Sequence, residues 1–285
     1  MNRVTGPDEY SALVDNNYYT NKLAQSNLRL AAKYARKFKG DDGMLSRLHV
    51  TDDEVEAMEQ AADAMYLPYD KEKNVKLQFQ NFEQLPKMDI ASIDQSMFPL
   101  LLHYHPLMLY RHQVNKQADT IMVDFMFPEG NTLKQVKSDY EFYEPITTHD
   151  SSLSKAIYAI VAARIGKDKQ AYDFFSQAVQ TDLMDVHHNT KNGIHAGSLG
   201  AAWEGIMYGF AGIVNNATSF SLQPHLPTTW NRLRFKVHLY GNEFEFTIYQ
   251  DSVEVVLISG EGADITVYNE RKHLNPQNAR ETWNY

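Results

Sequence analysis

The sequence contains no cysteine, no cluster of basic residues and no long apolar run, and each absence excludes a class of protein. Without cysteine there is no disulfide, no thiol nucleophile and no Cys-ligated zinc, which is typical of a reducing compartment. The 27 Lys and Arg against 36 Asp and Glu give a net charge of −9, so the electrostatic footprint of a nucleic-acid or anionic-membrane partner is missing. No segment approaches the about 18 consecutive apolar residues that span a bilayer. We therefore expect a cytoplasmic protein with no nucleic acid and no membrane as partner.

The 285 residues, 43% of them hydrophobic, divide into a helical part and a strand part. Helical spacing of apolar residues runs from about Tyr18 to Phe210, and Thr51 opens a capping box for one of about eight predicted helices. The others include residues 93–103, 107–127, 133–140, 153–165, 170–183 and 199–210. The pattern predicts a mainly α fold whose natural closed arrangement is an α/α toroid, although eight helices are too few for a ring of twelve.

Alternating apolar residues begin near residue 233 and predict a small antiparallel β-sandwich module after the helices. Gly241-Asn242 and Gln250-Asp251 mark its hairpin turns. The module is expected over residues 215–272, after a helical domain of residues 1–214. Residues 273–285 are polar and predict a loose tail.

The first candidate for chemistry is the turn at Gly6-Pro7-Asp8-Glu9-Tyr10. A carboxyl group held in a turn against an aromatic surface can keep its proton and serve as a general acid. The alternative is that both carboxylates cap a helix or face water. Lys116 and Gln117, in the predicted helix 107–127, can bind hydroxyls or an anion, or lie on a solvated face.

Two segments at predicted helix starts are candidate anion sites. Residues 147–154 carry Ser151 and Ser152 into the helix 153–165, where free backbone N–H groups and the helix dipole favour an anion. The alternative is that these polar residues only cap the start of the helix. The second segment, which precedes the helix around Trp203, combines backbone freedom with polar donors at Gly193, His195, Gly197 and Ser198. A zinc site at His187, His188 and His195 lacks cysteine and the usual helical spacing.

One candidate acid with two anion sites favours phosphorolysis over hydrolysis. An inverting hydrolase needs a second carboxylate that activates water, and the sequence shows no second carboxylate in a comparable setting. Phosphate is already anionic and needs no such base.

The same segments, in the same order, resemble glycoside hydrolase family 65, the maltose, trehalose and kojibiose phosphorylases. Residues 6–10 with 15–21 are similar to its catalytic-acid segment, and residues 116–119 to its Lys-Gln-Ala-Asp helix. Residues 149–154 and 193–203 resemble its two phosphate-loop segments, and residues 226–230 with the following strands its C-terminal β module. The resemblance implies that residues 1–214 are the second half of an (α/α)6 barrel, and that the chain is a C-terminal fragment of a protein that is a homodimer at full length.

The resemblance also implies roles for single residues. Glu9 is the implied general acid, and Lys116 and Gln117 are implied to hold the glucosyl unit. The implied phosphate-binding residues are Ser151, Ser152, Gly193, His195, Gly197 and Ser198. Ser11, where many members have His, and Tyr18, often a smaller residue, depart from the family pattern.

The expected activity is inverting phosphorolysis of an α-linked glucosyl disaccharide to β-glucose 1-phosphate and a free sugar. Maltose is the first expectation for the substrate, with kojibiose, nigerose, trehalose and trehalose 6-phosphate open. Inorganic phosphate is the co-substrate, and neither a metal nor an organic cofactor is expected. The alternatives are an inverting α-glucoside hydrolase of the same fold, and a fragment that is inactive alone or only binds sugar.

Overall fold

The computed structural model describes residues 1–40, 45–186, 188–215 and 220–285. These residues divide into two compact units. The first unit consists of Met1–Phe127 and Lys137–Asp150, and the second of Pro128–Val136 and Ser151–Tyr285. Within the described ranges, no helix combines the length and the apolar character needed to cross a membrane.

The described residues of the first unit form helices, 3₁₀ turns, loops and a short hairpin. Its helices are α1 (Tyr18–Lys37), α2 (Leu45–Leu48), α3 (Asp52–Asp63), α4 (Pro106–Leu109), α5 (Thr120–Met126) and the C-terminal part of α6 (Leu133–Tyr143). The strands β1 (Tyr69–Asp70) and β2 (Val75–Lys76) pair antiparallel. Single 3₁₀ turns lie at Phe82–Gln84, Ile90–Ser92, Gln95–Met97, Leu100–Leu102 and Glu144–Ile146.

Helix α1 forms the framework of this unit because one of its faces is buried along its whole length. The buried residues recur at helical spacing, namely Tyr18, Asn21, Gln25, Ala32 and Ala35. Ala32 and Ala35 pack against Val55 of α3. At its start, the Asn17 side chain accepts a hydrogen bond from the Thr20 N–H. The capping box predicted at Thr51 is confirmed, with reciprocal hydrogen bonds between Thr51 and Glu54.

The predictions of helices over residues 93–103 and 107–127 are wrong. Pro99 lies inside the first of these ranges, and a proline removes a helical hydrogen bond; the chain there forms 3₁₀ turns. In the second range only α4 and α5 are helical, and a loop of residues 110–119 joins them. The N–H of Asn115 donates to the Ile146 carbonyl (2.8 Å), so tertiary partners replace the helical ones.

The helices of the second unit are α7 (Ser154–Arg164), α8 (Asp168–Val179) and α9 (Ala196–Glu204), with a 3₁₀ turn at Thr190–Asn192 and a π-helical segment at Gly205–Phe210. Helix α7 is buried almost all round. Ala156, Ala178 and Ala201, one from each helix, form a small cluster. Their short side chains let the three helix backbones approach closely.

Two four-stranded sheets follow in the second unit. One has the order β10 (Arg280–Asn284), β7 (Ser252–Ser259), β6 (Asn242–Ile248), β5 (Leu233–Leu239), and all its pairs are antiparallel. The other has the order β3 (Ile213–Asn215), β4 (Phe220–Leu222), β8 (Ala263–Val267), β9 (Glu270–Leu274). Strands β4 and β8 pair in parallel. The prediction of an antiparallel module is therefore correct for the first sheet and wrong for this pair.

The prediction of a loose tail over residues 273–285 is wrong as well. Arg280–Asn284 pairs antiparallel with β7, and Trp283 lies opposite Val253. Trp283 is 1% exposed, in the same apolar cluster as Phe246, and its indole N–H donates to the Glu270 carbonyl (3.0 Å). The buried Trp283 side chain and the pairing with β7 together order an otherwise polar edge strand.

Candidate active site

The turn at residues 6–10 places neighbouring side chains in opposite surroundings. Asp8 is fully buried and Tyr10 is 1% exposed, whereas 57% of the Glu9 side chain is exposed. The Lys116 ammonium makes an ion pair with the Glu9 carboxylate. Of the carboxylates in this turn, Glu9 is therefore the one that can meet a ligand from solution.

The buried Asp8 carboxylate lies beneath Glu9 and is surrounded by donors. Its Oδ1 accepts hydrogen bonds from the N–H groups of Lys116 (2.7 Å) and Tyr10 (3.3 Å). Its Oδ2 accepts from Gln78 Nε2 (3.0 Å) and Ser11 Oγ (3.3 Å). Burial raises the pKa of Asp8 to about 6, and these hydrogen bonds oppose the rise. At neutral pH the group is mainly a carboxylate.

A second buried carboxyl group, Asp119, lies next to Asp8. Its Oδ2 accepts a hydrogen bond from the Asp8 N–H (3.3 Å), and Asn17 Nδ2 donates to both of its oxygens (3.1 and 3.2 Å). Burial, with the charge of Asp8, raises the pKa of Asp119 to about 8. A Cβ on Gly6 would lie 2.3 Å from Asp119 Oδ2, so the close approach of the turn requires glycine at that position.

The structure brings the predicted sugar-binding pair to the predicted acid. Lys116 contacts Glu9 through its ammonium group, and the Gln117 side-chain amide donates to the Pro7 carbonyl. Both residues lie on the 110–119 loop and not inside a helix. The loop conformation is what lets the Lys116 N–H face Asp8 and its side chain face Glu9.

Tyr10 connects the acid turn to the residues that precede Ser151. Its hydroxyl donates to the Asp150 carboxylate, which also accepts from the Leu100 N–H (3.1 Å). Burial and the neighbouring Asp150 raise the pKa of the Tyr10 hydroxyl well above its usual range, so it stays a donor. Asp150 is a residue of this site that the sequence reasoning did not assign.

In the second unit, the two predicted phosphate segments lie side by side. Ser151 and Ser152 precede α7, where Ser151 Oγ accepts from the Leu153 N–H (3.3 Å) and no side chain caps the helix. A Cβ on Gly197 would lie 2.7 Å from the Leu153 side chain, so the start of α9 packs directly against this segment. Gly193 has φ of +120° and open space around it, a conformation that favours glycine.

His195 is held by an aspartate that the sequence reasoning missed. Its Nδ1 lies 2.5 Å from Asp182 Oδ1, and its N–H donates to Asp182 Oδ2 (2.8 Å). Because a carboxylate only accepts hydrogen bonds, Nδ1 of His195 carries the proton. The second ring nitrogen, Nε2, lies 3.4 Å from Asn189 Nδ2. Nothing local in the sequence pairs residues 182 and 195 across a loop.

Ser198 differs from the other predicted phosphate residues. It is 2% exposed, and its hydroxyl donates to the Ala178 carbonyl (3.1 Å), so its one proton is used inside the helical core. His187, one of the three histidines of the alternative zinc site, lies outside the described residues. In the rest of the chain that the structure describes, no three His, Asp or Glu side chains are grouped to hold a metal ion.

Two family models match the chain. The glycosyl hydrolase family 65 central catalytic domain matches residues 1–204, and the glycosyl hydrolase family 65 C-terminal domain matches residues 215–274. Together the two matches cover both the helical and the strand parts of the chain.

Several of the curated relatives are named as disaccharide phosphorylases, and others only as glycosyl hydrolases. An α,α-trehalose phosphorylase of Geobacillus stearothermophilus is 40% identical over 96% of this chain and 36% of its own length. A kojibiose phosphorylase of Thermoanaerobacter brockii is 31% identical over 92% of the chain, and a maltose phosphorylase of Bacillus subtilis 29% identical over 99%. The chain thus spans about a third of the length of these relatives.

A solved structure from the human microbiome, named as a candidate kojibiose phosphorylase, superposes with a TM-score of 0.88 at 31% identity. The match covers 100% of this chain and 42% of that one. Family models, relatives and structure agree, and we conclude that the chain belongs to glycosyl hydrolase family 65.

Proposed function

We propose that the complete natural protein is an inverting phosphorylase that cleaves an α-linked glucosyl disaccharide with inorganic phosphate. The observation that carries this proposal is the exposed Glu9 carboxylate, held against Lys116 above the buried Asp8 network. The names of the relatives support the same reaction class.

Glu9 is the proposed general acid. The Lys116 ammonium contacts the Glu9 carboxylate in the structure. In the proposed complex Lys116 and Gln117 bind hydroxyls of the glucosyl unit, and protonated Glu9 lies against the glycosidic oxygen. The C1–O bond breaks, the Glu9 proton goes to the leaving oxygen, and the acceptor sugar departs neutral.

Phosphate is the proposed nucleophile. One of its oxygens bonds to C1 on the face opposite the leaving oxygen, so an α-linkage gives β-glucose 1-phosphate. The proposed phosphate residues are Ser151, Ser152, Gly193, His195, Gly197 and Ser198. His195 is the best supported of them, because Asp182 holds its ring and its backbone N–H in place at the start of α9. For Ser198 the proposal requires its hydroxyl to leave the Ala178 carbonyl.

Trehalose replaces maltose as the first disaccharide to test. The trehalose phosphorylase relative is 40% identical, against 29% for the maltose phosphorylase, so maltose has no advantage. We also propose a cytoplasmic homodimer that needs no metal or organic cofactor. The (α/α)6 arrangement and the division into residues 1–214 and 215–272 stay predictions.

The test of the acid is Glu9→Gln in the complete natural protein. We expect kcat for disaccharide phosphorolysis to fall about 10²- to 10⁴-fold, the range for a lost general acid. An aryl α-glucoside with a 4-nitrophenolate leaving group needs no proton and should lose less than about tenfold. The matched control is Glu72→Gln, an exposed glutamate of the same unit. A Glu9→Gln protein with the full rate on the disaccharide would remove Glu9 from this role.

A further inference from the structure

We infer that Asp8 is a positioning residue whose buried carboxylate fixes the spacing between Glu9 and Lys116. The inference rests on the proposed role of Glu9 as general acid. Asp8 itself is fully buried and cannot reach a ligand from solution, so its effect on the reaction passes through Glu9 and Lys116, the residues proposed to contact the sugar.

One carboxylate oxygen joins the two segments of the site. Asp8 Oδ1 accepts from the N–H of Tyr10, the residue after Glu9, and from the N–H of Lys116, whose ammonium contacts Glu9. The turn and the loop are more than 100 residues apart in sequence. A shared acceptor therefore sets the distance between the acid and the sugar-binding loop at the level of the backbone.

The other oxygen keeps the carboxylate from rotating. Oδ2 accepts from Gln78 and Ser11, and Gln78 is itself held by Asn115 Nδ2, which donates to its Oε1 (2.8 Å). The Gln78 carbonyl accepts from the Tyr18 N–H (2.8 Å). Asp8 is thus fixed from both sides by groups of the same unit.

The chemistry of these partners explains why the position needs a carboxylate. The groups that hydrogen-bond to the Asp8 carboxylate, which also include the Gln117 N–H, all donate, and only an acceptor with two oxygens satisfies donors on both sides. An asparagine offers one oxygen, and its NH₂ group would face donors on the other side. Either orientation of the amide leaves a buried donor without its acceptor, which shifts the turn or the loop.

The experiment compares Asp8→Asn with Glu9→Gln in the complete natural protein, on the disaccharide and on the aryl glucoside. We expect kcat of Asp8→Asn on the disaccharide to fall about 100-fold, because a catalytic group displaced by about 1 Å lowers the rate by that factor. The rate on the aryl glucoside should fall less than about fivefold, and the KM for phosphate should change less than about twofold, because protonation is the step affected.

The matched control is Asp139→Asn. Asp139 is as buried as Asp8 and lies in the same unit, but it binds Lys76. Its loss should lower the unfolding temperature without changing the ratio of the two rates. A merely structural role of Asp8 would give this same pattern, with both substrates affected equally, and would overturn the inference.

The two proposals fail in different ways. If Glu9→Gln keeps its rate, the proposed acid role of Glu9 fails; if Glu9→Gln loses the disaccharide reaction and Asp8→Asn does not, only the inference fails. Should Asp8→Asn not fold, Gln78→Met removes one donor to Oδ2 and leaves the charge. Its loss should be smaller, about tenfold, and again selective for the disaccharide. An unselective loss, or no loss, would contradict the inference.

Discussion

Three consecutive residues of the acid turn have three different tasks because their surroundings differ. Asp8 is buried among donors, Glu9 faces solvent beside Lys116, and Tyr10 is buried with its hydroxyl on Asp150. The resemblance to the family, rather than the turn itself, selects Glu9 as the predicted acid, and the role of Glu9 stays a prediction. The motif in the sequence could not assign Asp8, because the residues that bury it lie about 70 and 110 positions away, beyond any local pattern.

The buried pair of Asp8 and Asp119 predicts a pH dependence of stability. The folded chain keeps a proton on Asp119 up to about pH 8, whereas an unfolded aspartate releases it near pH 4. The folded state therefore holds the extra proton between these values, so the free energy of unfolding falls as pH rises through this interval. Asp119→Asn removes this titration.

We expect the stability of the unmodified protein, relative to Asp119→Asn, to fall by up to about 1.4 kcal/mol per pH unit between pH 5 and 8. Urea unfolding followed by circular dichroism at several pH values measures the difference. The control is Asp63→Asn, whose side chain is 75% exposed. Parallel curves for the unmodified protein and Asp119→Asn would contradict the buried, protonated Asp119.

At the scale of elements, the sequence correctly predicts helices whose signals lie in neighbouring residues. The capping box of α3, the apolar run of α7 and the apolar periodicity of α8 are in the sequence and are found in the structure. The 110–119 loop was predicted as helix because its hydrogen-bond partners, Asp8 and Ile146, are distant in sequence. The edge strand β10 was missed because only Trp283 in it is buried.

The loop before α9 gives a prediction of its own. His195→Ala should raise the KM for phosphate about 10- to 100-fold, the cost of one hydrogen bond to a charged group. Asp182→Asn leaves the ring without its carboxylate partner and should act in the same direction with a smaller effect. Initial rates at varied phosphate and varied sugar measure both KM values.

The KM for the sugar should change less than about threefold in both variants. His238→Ala, an exposed histidine of β5, is the control and should behave like the unmodified protein. Equal changes in both KM values would show that His195 has no specific part in phosphate binding.

At the scale of the whole molecule, the chain holds two compact units and about a third of the length of its phosphorylase relatives. Sequence motifs in order along the chain predicted the family, because several matches in one order are more specific than any single motif. The choice of disaccharide could not be predicted, because relatives named as trehalose, kojibiose and maltose phosphorylases all match most of this chain. The proposed catalysis therefore refers to the complete natural protein and not to this chain alone.

The most direct test follows inorganic phosphate by phosphorus NMR while the complete natural protein acts on trehalose, then on kojibiose and maltose. The account predicts that one disaccharide is consumed only when phosphate is present, with equimolar free sugar and β-glucose 1-phosphate as products. Release of free glucose at the same rate without phosphate, or formation of the α-anomer, would contradict it.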